Sequence, residues 1–199
     1  MSEPFDLDTV AKRDLSIPMD RAQWIGLLLM PPLAVFLIAP YVALWSFSAL
    51  GTAWKMLLAH PFLALVLFIV GVVIHELLHG LSWWYFGRKP RSVIKYGFQV
   101  KTLTPYAHCT EPMDVRAYRI GAAMPGLVLG IAPWLVGLAT GHEPSLLFGL
   151  LFTIAALGDA MVLWMIRHVE RGRLVIDHPT QAGCYVIEPD DEGRNNPGT

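Results

Sequence analysis

Four ionisable residues lie inside the apolar part of this chain, and they constrain its fold more than anything else. His75, Glu76 and His79 sit in the run Gly71-Val72-Val73-Ile74-His75-Glu76-Leu77-Leu78-His79-Gly80, an H-E-x-x-H pattern. Asp159 sits in Ala155-Ala156-Leu157-Gly158-Asp159-Ala160. The rest of the hydrophobic spans carries no Asp, Glu, Lys, Arg or His. An ionisable side chain in lipid is costly unless it is paired or faces a polar cavity. Four of ligand type, with no other charge around them, point to one polar pocket within a membrane protein.

The composition agrees. Of the 199 residues, 54% are hydrophobic and 16% charged, against roughly 25% charged in soluble domains. Four stretches are long enough to cross a bilayer, which takes about 20 apolar residues. They run over 24–50, 61–86, 120–140 and 145–166. Pro31, Pro32 and Pro40 predict a kink or break in the first. The expected fold is an all-α membrane protein of about four spanning helices, with a cytoplasmic β-hairpin loop and a small cytoplasmic C-terminal tail. The expected division is an N-terminal tail (1–23), a transmembrane domain (24–168) and a C-terminal tail (169–199). The first span exceeds the h-region of a cleavable signal, so it reads as retained.

Four crossings put both termini on one side. That side then holds 14 of the 15 basic residues, with Lys55 alone opposite. The positive-inside rule makes it the cytoplasm. Residues 92–106, rich in β-branched and aromatic types, read as a hairpin, and 173–176 with 184–187 as a second. The last ten residues read as disordered. Cys109 and Cys184 fall outside the spans without a CxxC and read as unpaired thiols. No basic stretch interleaved with aromatics supports nucleic-acid binding.

Residues four apart share a helix face, so His75 and His79 can reach one metal ion. Glu76 lies beside that face and serves as a general base. A catalytic zinc site uses three protein ligands and keeps a position open. Asp159 is the natural third. His79 precedes Arg88 by nine residues and Asp159 precedes Arg167 by eight. On parallel helices both sit roughly 12–14 Å from the cytoplasmic end. The expected centre is therefore zinc held by His75, His79 and Asp159. A proton relay through Glu76 and Asp159, core histidines or a haem site are the other readings of these residues. Two-His-one-carboxylate sites also take iron; the helical glutamate base favours zinc. His108, Cys109 and Glu111 form a polar cluster after the motif, either an exposed loop or a flap over the site. Asp177-His178-Pro179 reads as a turn. Pro125-Gly126 either opens backbone near the metal or packs.

On these residues the chain resembles the membrane zincin peptidases, a bacterial group related in style to the site-2 proteases. The resemblance rests on His75–His79 in a spanning helix, on Tyr106–Pro112 and on Gly158-Asp159, and covers roughly 61–188. It implies zinc at His75, His79 and Asp159, Glu76 as base, and peptide hydrolysis in or near a bacterial cell membrane. Peptides or membrane proteins are the implied substrates, and lipid the surroundings. The chain departs from the site-2 proteases in two elements. Gly158-Asp159-Ala160 stands for their Leu-Asp-Gly, and the only asparagines, Asn195 and Asn196, lie in the tail. The oxyanion-stabilising role of their Asn-x-x-Pro element is thus unassigned. A metal-ion or proton transporter and a non-catalytic zinc protein are the alternatives. The oligomeric state stays open, a homo-oligomer included.

Overall fold

A computed structural model describes residues 10–101 and 104–188. The chain opens on strand β1 (Lys12–Ile17) and enters helix α1 (Met19–Trp45). Pro31, Pro32 and Pro40 all lie inside α1, which runs on without a break. The expected break is absent there; the helix ends instead at Ser46, whose φ of 75° is positive. A short helix, α2 (Phe47–Ala59), follows, so the first span stops five residues before the expected Leu50. Helix α3 (Pro61–Phe86) matches the second expected span and starts with proline at its first turn, where no helix hydrogen bond is lost.

Two strands come next, β2 (Ile94–Gln99) and β3 (Thr104–Cys109), paired antiparallel from Ile94↔Cys109 to Gln99↔Thr104. This is the expected hairpin. After the two-residue strand β4 (Met113–Asp114), the Asp114 carboxylate caps helix α4 (Val115–Pro125) by accepting from the Arg116 N–H. A wide π-type turn (Gly126–Ile131) joins α4 to α5 (Ala132–Thr140). Helices α6 (Glu143–Ala155) and α7 (Leu157–Met165) replace the expected fourth span, with a 43° bend between them. The chain then forms β5 (Leu174–Asp177) and β6 (Ala182–Ile187).

Among the described residues, three helical segments are long and apolar enough to cross a membrane, 19–45, 61–86 and 115–140, and the bent α6–α7 pair makes a fourth if it counts as one span. At 1.5 Å per residue, 26 residues reach about 39 Å, more than the roughly 30 Å hydrocarbon core. Phe36, Leu58, Phe62 and Leu28 each stand more than 70% exposed. Faces this apolar belong against lipid, as in an integral membrane protein.

The fold is not all helical. β1, β6, β5 and β4 form an antiparallel sheet in that order. Residues 1–23 are expected to be a tail; Lys12–Ile17 instead pairs with Ile187–Ala182 along its whole length. Strands adjoin the start of α1, the end of α3, the start of α4 and the end of α7. All of these therefore lie at one end of the bundle. The core there contains Trp83, Cys109, Val115, Tyr118, Ile166, Val175 and Cys184. The Arg119 guanidinium donates to the carbonyls of Ile166 and Val169, satisfying the end of α7. At the opposite end, the Tyr41 hydroxyl donates to the Gly141 carbonyl and the Trp45 indole to Leu138 O, both at 2.9 Å. The reading of the last ten residues as disordered lies outside the described residues.

Candidate metal centre

His75 and His79 project from one face of α3, as their spacing requires, and both are buried. Asp159 comes from the first turn of α7, three residues past the bend. Its Oδ2 lies 3.1 Å from His75 Nε2 and its Oδ1 3.3 Å from His79 Nε2. One ligand atom from each of the three residues falls within 4.8 Å of the others. Donors sharing a tetrahedral zinc at about 2.0–2.2 Å sit about 3.4 Å apart. The observed separations fit that ion.

The donor chemistry fits as well. His79 Nδ1 donates to the Gly121 carbonyl at 2.9 Å. Its Nε2 then faces the carboxylate with a lone pair unless it carries a second proton. A cation between the rings and the carboxylate satisfies all three groups at once. A backbone carbonyl on the far nitrogen is the usual orienting partner of a metal-bound histidine.

That carbonyl is free for a local reason. In a helix the Gly121 C=O would accept from the N–H of residue 125. Residue 125 is proline and has no N–H. In sequence Pro125-Gly126 allows either backbone exposure or packing; the structure shows a freed carbonyl and its partner, His79. Gly121 also has no room for a side chain, since a Cβ there would collide with the Trp83 indole nitrogen. Trp83 stacks on His79 at 5.6 Å between centroids, and Tyr118 stacks on Trp83 at 6.0 Å. Close approach of α4 to α3 at Gly121 thus holds the His79 ring. Pro125→Ala restores the helix donor, which competes for the Gly121 carbonyl. The expected result is about a 10-fold loss of zinc affinity with the fold retained, read by competition against a zinc-chelating dye. Unchanged affinity would show that the carbonyl serves both donors.

The cavity beside the three residues measures about 790 Å³. Glu76 lines it, its carboxylate facing the Ala107 backbone on β3. His108, Tyr118 and Asp177 line it too. The Tyr106–Pro112 segment therefore does approach the site. Asp177, the last residue of β5, is buried. Its Oδ1 accepts from the Tyr118 hydroxyl at 2.7 Å and its Oδ2 from the Cys109 N–H at 2.8 Å. His108 Nδ1 stands 3.7 Å from Oδ2, an ion-pair distance. Burial raises the Asp177 pKa, and the Cys109 N–H, His108 and Tyr118 each offset part of that rise.

Asp177 is the residue the sequence reading missed, because a D-H-P run signals a turn. The turn is real and belongs to His178. Its Nδ1 accepts from the N–H groups of Thr180 and Gln181 at 3.1 and 2.9 Å. Glu111 turns to Lys89 instead, at 3.2 Å. Cys109 and Cys184 are free thiols, pushed by burial to about 11 and about 12. Neither is a nucleophile near neutral pH. His142 caps α6, and His60 precedes α3.

No curated protein and no solved structure matches the chain. A family model described as "Putative zincin peptidase" matches residues 68–174, more than half of the length. The matched stretch takes in α3 from Phe68 onward with its paired histidines, the β2–β3 hairpin and the Asp159 turn. Zincins are zinc metallopeptidases, and it is to this zincin peptidase family that the chain belongs.

Proposed function

We propose that the chain is an integral membrane zinc metallopeptidase that hydrolyses peptide bonds in or beside the bilayer. One observation carries the reading. His75, His79 and Asp159 present clustered ligand atoms in the wall of a cavity that also holds Glu76. Zinc supplies Lewis acidity there and brings the pKa of water to about 7. Glu76 takes a proton from the attacking water and gives it to the leaving amine. The Ala107 backbone on β3 faces that carboxylate.

Both termini lie in the cytoplasm in this reading, with α6–α7 as the fourth crossing. The strands cap the end where 13 of the 14 basic residues in the described range fall, which the positive-inside rule assigns to the cytoplasm. The cavity is walled by β3 and by the 178–183 turn, so water reaches it from that end. The substrate is an extended peptide lying along β3. Ala107 and Cys109 direct their N–H groups away from β2, to Glu76 and Asp177. Strand geometry turns the carbonyls of Pro105 and Ala107 the same way, and an added strand would pair with them.

Protein purified in detergent is expected to hold about one zinc per chain. Treatment with 1,10-phenanthroline is expected to abolish its cleavage of casein, and added zinc to restore it. Carefully prepared protein without metal would sink the reading. Zinc flux through liposomes carrying the protein, without cleavage, would replace it with a transporter.

A further inference from the structure

Asp177 has no part in binding the metal, yet it is a buried carboxylate at the cavity wall, 8% exposed. Two neutral donors, the Tyr118 hydroxyl and the Cys109 N–H, occupy one oxygen each. A buried charge is costly without an opposite charge. Among the described residues the imidazole of His108 stands at ion-pair distance from it, positive only when protonated. That ring presents Nδ1 to Asp177, which leaves Nε2 for the cavity it lines. His108 follows Ala107, whose backbone faces Glu76. The ring therefore flanks the point where the base works. No asparagine exists outside residues 195 and 196 to act on a developing oxyanion.

We propose that His108 is a catalytic residue that stabilises the oxyanion, and that Asp177 is its positioning residue. The inference rests on the peptidase reading. As the water oxygen bonds to the carbonyl carbon, the π pair moves onto the carbonyl oxygen. The His108 imidazolium donates its Nε2–H to that oxygen as a hydrogen bond and keeps its proton. Asp177, 3.7 Å from Nδ1, balances the charge of the ring. Tyr118 and the Cys109 N–H hold Asp177 in turn, so the ring is aimed before substrate arrives. Preorganised donors of this kind are worth about 10²–10³ in rate.

The test compares His108→Ala, His108→Gln and Asp177→Asn with the wild type. Zinc content is expected to stay the same in all. His108→Ala is expected to lose about 100-fold in kcat on casein with KM within about threefold. Affinity for a blocked Leu-Leu phosphinic pseudo-dipeptide, whose tetrahedral centre carries the negative oxygen, is expected to fall about as far. Affinity for the blocked Leu-Leu amide, measured in a Glu76→Gln background, is expected to hold. His108→Gln keeps a donor and should recover part of the loss. Asp177→Asn should lose about 10-fold with the same split between the two probes. Equal weakening of both probes, or of neither, overturns the proposal and leaves the pair as a clamp between β3 and β5. Loss in Lys95→Ala instead would also overturn it, since Lys95 is the cross-strand neighbour of His108. A wild type that cleaves and binds the phosphinic probe while His108→Ala matches it removes this proposal alone. A wild type that does neither removes the peptidase reading and this one together.

Discussion

Glu76→Gln is expected to lower the single-turnover rate of casein cleavage by about 10³-fold or more, with zinc content unchanged. The residue is not one of the three whose ligand atoms cluster. It sits one position from His75 on α3, and its carboxylate lies at the cavity wall facing the Ala107 backbone. Gln has the same length, and its amide oxygen can still face Ala107. What it cannot do is take a proton. General acid–base groups contribute about 10²–10⁴ in rate. Glu76 serves twice, on the water and on the leaving amine, so the upper part of that range applies. A 10³-fold loss corresponds to about 4 kcal/mol of transition-state stabilisation. Cleavage at the wild-type rate would remove Glu76 from the chemistry. Lost zinc in the variant would show instead that the carboxylate supports the metal.

The helix-borne half of the site was legible in sequence because its signals are local. The four-residue spacing of His75 and His79 dictates a shared face whatever surrounds it. Asp159 was legible for another reason, its isolation in an apolar run. The bend that presents Asp159 was not. No proline marks Ala156, and the break leaves the fourth span as two short helices. The prolines of α1 misled in the other direction, because a helix in lipid tolerates them where neighbours satisfy the freed groups. Strand β1 went unseen because its partner lies some 170 residues away, at Ala182–Ile187. Register over such a separation leaves no local pattern. Asp177 was read through its neighbours, His178 and Pro179, as part of a turn. Only the packing of β5 against Tyr118 and Cys109 shows its carboxylate turned inward. Pro125 stands between these cases. Its missing N–H is a property of sequence, but which group uses the freed Gly121 carbonyl is a property of the fold.

Asp159→Ala is expected to weaken zinc binding by more than about 100-fold, beyond the 10–100-fold typical of partners that only orient a ligand. The carboxylate is the point where the histidines converge, with one oxygen 3.1 Å from His75 Nε2 and the other 3.3 Å from His79 Nε2. Removing it leaves two imidazoles on a single helix, too few donors for a zinc site. It also removes the negative charge that offsets the ion in an apolar bundle. The measurement should be thermal unfolding with and without added zinc, beside direct metal analysis. A ligand at 100 times its dissociation constant stabilises a fold by about 2.7 kcal/mol. The wild type should show such a shift in Tm and the variant almost none at the same zinc concentration. Without zinc the two proteins should unfold at similar temperatures, because Asp159 lies in the first turn of α7 and is not in the hydrophobic core below it. That arm separates a lost ligand from a damaged fold. Asp159→Asn should fall between them, since it keeps an oxygen and loses the charge. A variant that still binds zinc at full occupancy would place the third ligand elsewhere. The bend at Ala156 would then need a different reason to aim this side chain at His75 and His79.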